Sequence, residues 1–143
     1  MAHFKFIEHT ADIGIEVTAD LINDLFIFSA SAICEISLEN FETTNNIFTE
    51  NFTISSNSLE ELLIDFLSEI NFNIVTRKKI LVTVEDIFII QNHDGYELLA
   101  KLIYEKFNPE KHIIQREIKA VTYHQLKIEE VEKKYKTKII FDT

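Results

Sequence analysis

Ser58-Leu59-Glu60-Glu61-Leu62-Leu63-Ile64-Asp65-Phe66-Leu67-Ser68-Glu69-Ile70 and, soon after it, Lys79-Ile80-Leu81-Val82-Thr83-Val84 decide the fold class, because the apolar period changes between them. In the first stretch Leu59, Leu62, Leu63, Phe66, Leu67 and Ile70 recur at helical spacing and mark one face of a long amphipathic helix. Ser58 and Glu61 form a capping box: the hydroxyl can accept the Glu61 backbone N–H while the Glu61 side chain reaches back. The helix is expected to end near Thr76. In the second stretch Ile80, Val82 and Val84 alternate with their neighbours, and Ile87 to Gln91 gives a second run of strand character.

Outward from that junction the reading continues. Asn92-His93-Asp94-Gly95 is a turn whose Gly supplies positive φ cheaply, so Glu97 to Phe107 returns as a strand closed by Asn108-Pro109. Arg116 to Glu129 alternates and is expected to be a strand, as is Lys133 to Asp142. Upstream, Phe48 to Ser55 alternates. Leu21, Leu25, Phe28, Ala32 and Ile36 mark an earlier helix, with Asp20 as its expected N-cap and Cys34 on its length. His3 to Ile7 and Gly14 to Thr18 read as strands around a polar turn. Two helices and roughly seven strands, mostly hairpin-linked, make an α+β domain with both helices on one face of an antiparallel sheet.

Composition sets bounds. The chain has 143 residues, enough for one ordinary domain, with 46% apolar and 27% charged residues. No apolar run reaches the ~18 residues that span a bilayer. The N-terminus lacks a basic region followed by an apolar core, so no signal peptide is expected. The lone Cys34 cannot form an internal disulfide and suits a core role in a reducing compartment, which points to the cytoplasm. The net charge is −10, of which residues 1–57 carry −8 and the remainder −2. An acidic surface repels phosphate, so direct nucleic-acid binding is not expected, while a basic partner surface would be attracted.

Chemistry concentrates at the two ends. His9-Thr10-Ala11-Asp12-Ile13-Gly14 is a polar turn, and Ile139-Ile140-Phe141-Asp142-Thr143 is an apolar strand closed by a carboxylate. If the end strands pair, Asp12 and Asp142 meet, and with Thr143 they offer oxygen ligands to a hard cation such as Ca²⁺ or Mg²⁺. His9 would better suit Zn²⁺ or Mn²⁺. The plainer reading of Asp12 is an Asx turn, with Gly14 taking a strained dihedral. Lys119-Ala120-Val121-Thr122-Tyr123-His124 is the second cluster. Strand alternation would put Lys119, Val121 and Tyr123 on one face and Thr122 and His124 on the other, either as a half-exposed strand or as a contact surface. Asn108-Pro109-Glu110-Lys111-His112 reads as a solvated turn. No nucleophilic triad, phosphate-cradling glycine loop or zinc-binding Cys/His set is present in the sequence, and no catalytic residue is assigned.

In order and spacing, these segments resemble the archease family along nearly the whole chain. The matching motifs are His9 to Gly14, Asn23-Asp24-Leu25-Phe26, Glu60-Glu61-Leu62-Leu63 running to Ile70, Lys106 to His112, Glu117 to His124, and Ile140-Phe141-Asp142. The resemblance implies a single α+β domain over residues 1–143. It implies a non-enzymatic accessory of RtcB-type RNA ligases, which join RNA ends in tRNA splicing and repair. Such a protein promotes guanylylation of the ligase, sustains multiple turnover and broadens nucleotide use. It also implies a metal site on Asp12 and Asp142 with Thr143 as a further ligand, holding a calcium-like ion, with magnesium and manganese as alternatives. His9, Lys119, Tyr123 and His124 are the candidate partner contacts. Phe66 stands where many relatives have Trp, Asp20 where a Gly often precedes the first helix, and Thr143 where the last residue is commonly apolar. The rival readings are a small metal-dependent hydrolase using Asp12, Asp142 and His9, and a general chaperone.

Overall fold

The computed structural model describes residues 2–7, 12–43, 46–123 and 125–143. In chain order they form β1 (His3–Ile7), β2 (Ile13–Ala19), α1 (Ile22–Ser37), β3 (Ile47–Ser56), α2 (Leu59–Val75), β4 (Lys79–Asn92), β5 (Gly95–Lys106), β6 (Ala120–Val121), β7 (Glu129–Val131) and β8 (Lys134–Asp142). The α+β class and both helices are as expected. The strands, however, divide into two antiparallel sheets. One has the order β1-β2-β8-β6 with β7 also on β8, and the other has the order β3-β5-β4. Both helices contact both sheets: α1 touches β1, β2 and β8 as well as β4, and α2 touches β3, β4 and β5 as well as β6. Each sheet thus turns one face to the helices, and a single hydrophobic cluster runs from Ile15 and Val17 through Phe26 and Phe66 to Leu98 and Leu102.

Helix α2 follows its sequence signals. The Ser58 hydroxyl accepts the Glu61 N–H at 3.2 Å. The Glu61 carboxylate accepts the Asn57 N–H at 3.2 Å, one residue before the cap. Phe66 is fully buried with its ring centroid 6.0 Å from Phe26 and 6.5 Å from Phe52. Helix α1 departs from expectation, because its N-cap is Leu21 with no side-chain cap and Asp20 precedes it. Cys34 donates to the Leu81 carbonyl at 3.6 Å, and burial pushes its thiol up to about 12, as a core cysteine requires.

The two runs expected around Ile80 and Ile87 are one strand, β4, interrupted by register shifts between Leu81 and Thr83 and between Val84 and Asp86. An irregularity of this kind breaks the alternation without ending the ladder. The Asn92 side chain accepts the Asp94 N–H at 3.0 Å, and Gly95 has φ 142°, so the expected turn closes the β4–β5 hairpin.

The stretch 116–129, expected to be one strand, is the main correction. Among its described residues, Ala120–Val121 pairs as a two-residue strand and Glu129 opens a separate one, Glu129–Val131; between them Leu126 N–H donates to the Tyr123 carbonyl and Gln125 takes φ 55°. Glu132 and Lys133 both have positive φ and turn β7 into β8. The alternation was genuine, but this arm spends it on contacts with α2. The Ile118 carbonyl accepts from Asn71, Tyr123 donates to Asp65, and Ile128 N–H donates to Glu60. Among the described residues no helix is long and apolar enough to cross a membrane.

Candidate functional site

Strand β2 enters the sheet at Ile13, and β8 leaves it at Asp142. Their antiparallel register runs from Ala19↔Tyr135 to Ile13↔Phe141. Past that pair the next residues are Asp12, in a bend before β2, and Asp142, the last residue of β8. Asp12 is half-buried, Asp142 exposed and Thr143 half-buried. On its other side β8 is held by β6, in the pairs Ala120↔Asp142 and Val121↔Phe141. Lys119 N–H donates to the Asp142 carbonyl at 2.7 Å, and Thr122 N–H donates to that of Ile140 at 3.0 Å. The chain segments around residues 12, 142 and 119 therefore converge on one end of the larger sheet.

Gly14 has a different role from the one expected. It is not among the positive-φ residues. A Cβ on it would lie 2.5 Å from Ile7 Cγ1, so the position is small because β1 packs against it. The Asx-turn reading of Asp12 thereby loses its strained glycine.

Could this end hold a cation? Its donors are oxygens only: the two carboxylates and those of Thr143. That set fits a hard divalent ion and not a thiophilic one. Among the described residues no group of three or more His, Cys, Asp or Glu side chains gathers for a metal, so the two side-chain carboxylates would need backbone oxygens or water to complete a shell. His9 lies outside the described residues, as does His124.

The remaining partner candidates separate. Lys119 and Tyr123 are exposed while Val121 between them is buried, so they do not form the uniform strand face that alternation suggested. Lys119 lines a cleft of about 440 Å³ against α2, together with Asn71 and Phe72. Tyr123 is 57% exposed and donates to Asp65 at 3.4 Å. Partial burial and the negative charges of Asp65 and Glu61 hold its phenol above the ordinary value. A second cleft, of about 700 Å³, opens beside the carboxylate end and is lined by Phe6, Ile13, Glu35, Glu39, Gln115 and Arg116. Sequence reading gave no sign of it, since its walls come from four separate segments.

The Asn108–His112 turn was expected to be solvated; Asn108, Pro109 and Glu110 are exposed, but His112 at its end is not. His112 is 2% exposed. Its Nδ1 accepts the Asn108 N–H at 2.8 Å, and its Nε2 lies 3.4 Å from a carboxylate oxygen of the buried Glu105. Lys111 pairs with the same carboxylate, and the imidazole sits between the Phe41 and Phe107 rings.

The archease protein family (MTH1598/TM1083) matches residues 4–143. The protein archease of Pyrococcus abyssi is 33% identical over 131 residues, covering 92% of this chain and 91% of that protein. That of Pyrococcus furiosus is 34% identical, covering 90% of this chain and 89% of its own. Among solved structures, Methanobacterium thermoautotrophicum protein 1598 superposes with a TM-score of 0.78 at 24% identity over 98% of each chain. A Thermotoga maritima protein described as an archease, possible chaperone, superposes with a TM-score of 0.61 at 25% identity, over 97% of this chain and 96% of its own.

Proposed function

The chain belongs to the archease family, and from that premise we propose that it is a non-enzymatic accessory protein that activates an RtcB-type RNA ligase. It promotes guanylylation of the ligase, sustains multiple turnover and broadens its nucleotide use. The observation that supports the reading is the β2–β8 register, whose last pair, Ile13↔Phe141, leaves Asp12 and Asp142 as the next residues of their two segments, followed by Thr143. Asp12, Asp142 and Thr143 would hold a divalent cation, calcium first and magnesium or manganese as alternatives, and the ion when bound supplies positive charge that offsets carboxylate repulsion.

The chain's own residues do the rest. Strand β2 pairs with β8 as far as Phe141 and β6 as far as Asp142, which holds the backbone that carries the Asp142 carboxylate. The net charge of −10 draws the protein to a basic surface such as an RNA channel, without competing for the RNA itself. Lys119 and Tyr123, exposed near this end, together with His9 and His124, are the contacts assigned to the ligase. The protein works in the cytoplasm, without membrane attachment.

The test is a ligation time course with the ligase well below its RNA substrate. The native chain is expected to convert a single-turnover reaction into a sustained one, and Asp12→Asn or Asp142→Asn, each checked for folding, is expected to abolish the gain. Full activation by both folded variants would remove the end carboxylates from the mechanism. A second reading, a general chaperone, is favoured by Phe88, Ile90 and Leu99 on the outer face of the smaller sheet, where they are 60%, 49% and 37% exposed. Suppression of aggregation of unrelated proteins, lost in Phe88→Ser but kept in Asp142→Asn, would favour it over ligase activation.

A further inference from the structure

Asp142 lies one residue past Phe141, where the pairing with β2 stops. What fixes its backbone is the other neighbour: the Ala120↔Asp142 pair and the Lys119 N–H donated to its carbonyl at 2.7 Å. Strand β6 has two residues and ends the strand order of its sheet, so it cannot hold that position by its own ladder. The arm is anchored elsewhere as well: Gln115 N–H donates to the Ser37 carbonyl of α1 at 2.9 Å, Thr137 of β8 donates to the Lys127 carbonyl at 2.8 Å, and α2 ties the stretch between them. Tyr123 to Asp65 and Ile128 to Glu60 tie its far part. Asn71 is the tie nearest to Lys119: its Nδ2 donates to the Ile118 carbonyl at 2.8 Å, with Ile118 1% and Asn71 7% exposed.

We propose that Asn71 is a positioning residue for the carboxylate end site, acting through the Ile118–Lys119 backbone on Asp142; this rests on the reading of Asp12, Asp142 and Thr143 as that site. The other half of its amide supports the assignment. Asn71 Oδ1 is buried and makes no hydrogen bond within the described residues. A buried acceptor left unmatched costs stability, so a residue kept for packing alone would be apolar. What Asn71 supplies that leucine cannot is the donor that pins the Ile118 carbonyl. Preorganised ligands bind more tightly than mobile ones, so the consequence is carried to cation affinity rather than to the fold.

Asn71→Leu, similar in size, is therefore expected to stay folded. Asn71→Ala serves if it does not. Two readouts are taken: exchange protection of the Lys119 and Thr122 amides by NMR, and Ca²⁺ binding by calorimetry on the metal-stripped protein. Protection of both amides should fall about tenfold and Ca²⁺ affinity by a similar factor, the usual scale for outer-shell changes at metal sites. Ile64→Val, about two turns nearer the start of the same helix, should change neither. Unchanged protection at Lys119 and Thr122 overturns the proposal whatever the metal does. Unchanged Ca²⁺ affinity with lost protection overturns the link to the site. If the native chain binds none of Ca²⁺, Mg²⁺ or Mn²⁺, the end-site reading fails, and with it the positioning of that site, although loss of amide protection would still show that Asn71 pins the arm.

Discussion

The two sheets are built by opposite routes. The smaller one is local: β4 and β5 are joined by a tight turn, and β3 precedes them separated by a single helix. The larger one gathers β1 and β2 from the start of the chain and β6, β7 and β8 from its last quarter, so its central pairing, β2 with β8, joins residues 13–19 to residues 135–141. The local sheet carries the outer apolar row; the non-local sheet carries the candidate site. A non-local ladder closes a long loop before any contact rewards it, so its stability depends on the helices and arm packed against it.

The same substitution, glycine to alanine, separates the two. At Gly95 in the local sheet, φ is 142° and a Cβ would lie 2.3 Å from the Ser56 carbonyl oxygen, a backbone atom that cannot step aside. Gly95→Ala is expected to cost about 3 kcal/mol in urea unfolding through strain and clash together. At Gly14 in the non-local sheet the clash is with the flexible Ile7 side chain. Gly14→Ala should cost about 1–2 kcal/mol, mainly by moving β1. An equal cost at both positions would mean that the larger sheet is as rigid as the hairpin. Next in size comes Ser58→Ala, which removes the cap of the helix shared by both sheets and should lower stability by about 1 kcal/mol.

The smallest effect is electrostatic and belongs to the larger sheet alone. Glu16 on β2 is partly desolvated, which raises its pKa, but Lys136 on β8 and Lys5 on β1 outweigh this and hold it below the ordinary 4.5. A depressed carboxylate stabilises the fold above its unfolded pKa and loses that contribution as pH falls through the folded value. Between pH 5 and 3 the native chain should therefore lose slightly more melting temperature than Glu16→Gln, by an amount equivalent to at most about 0.5 kcal/mol, because both lysines are solvated. An identical pH profile would show that the triple β1–β2–β8 charge contact contributes nothing.

Legibility followed the same division. The Ser58–Thr76 helix, the Asn92–Gly95 turn and β5 were plain because each signal sits within a few residues of its consequence. The arm after Arg116 was misread because alternation over residues 116–129 is also what a bent segment shows when it buries Ile118 and Val121 and ties itself to α2. His112 was misread because nothing local reveals that Glu105 and Phe41 meet it. Of the site, the two carboxylates were legible as chain-end signals; the arm that flanks one of them was not.

By itself the sequence determined the α+β class, the two helices, the hairpin, and the carboxylates near both ends, since periodicity, caps and turn residues act over one or two helical or strand repeats. Only the tertiary structure decided that the strands split into two sheets, that β8 sits between β2 and β6, and that Asn71 reaches Ile118. Those are choices among partners distant in sequence, made by which burial leaves the fewest unmatched polar groups, and no local pattern encodes them.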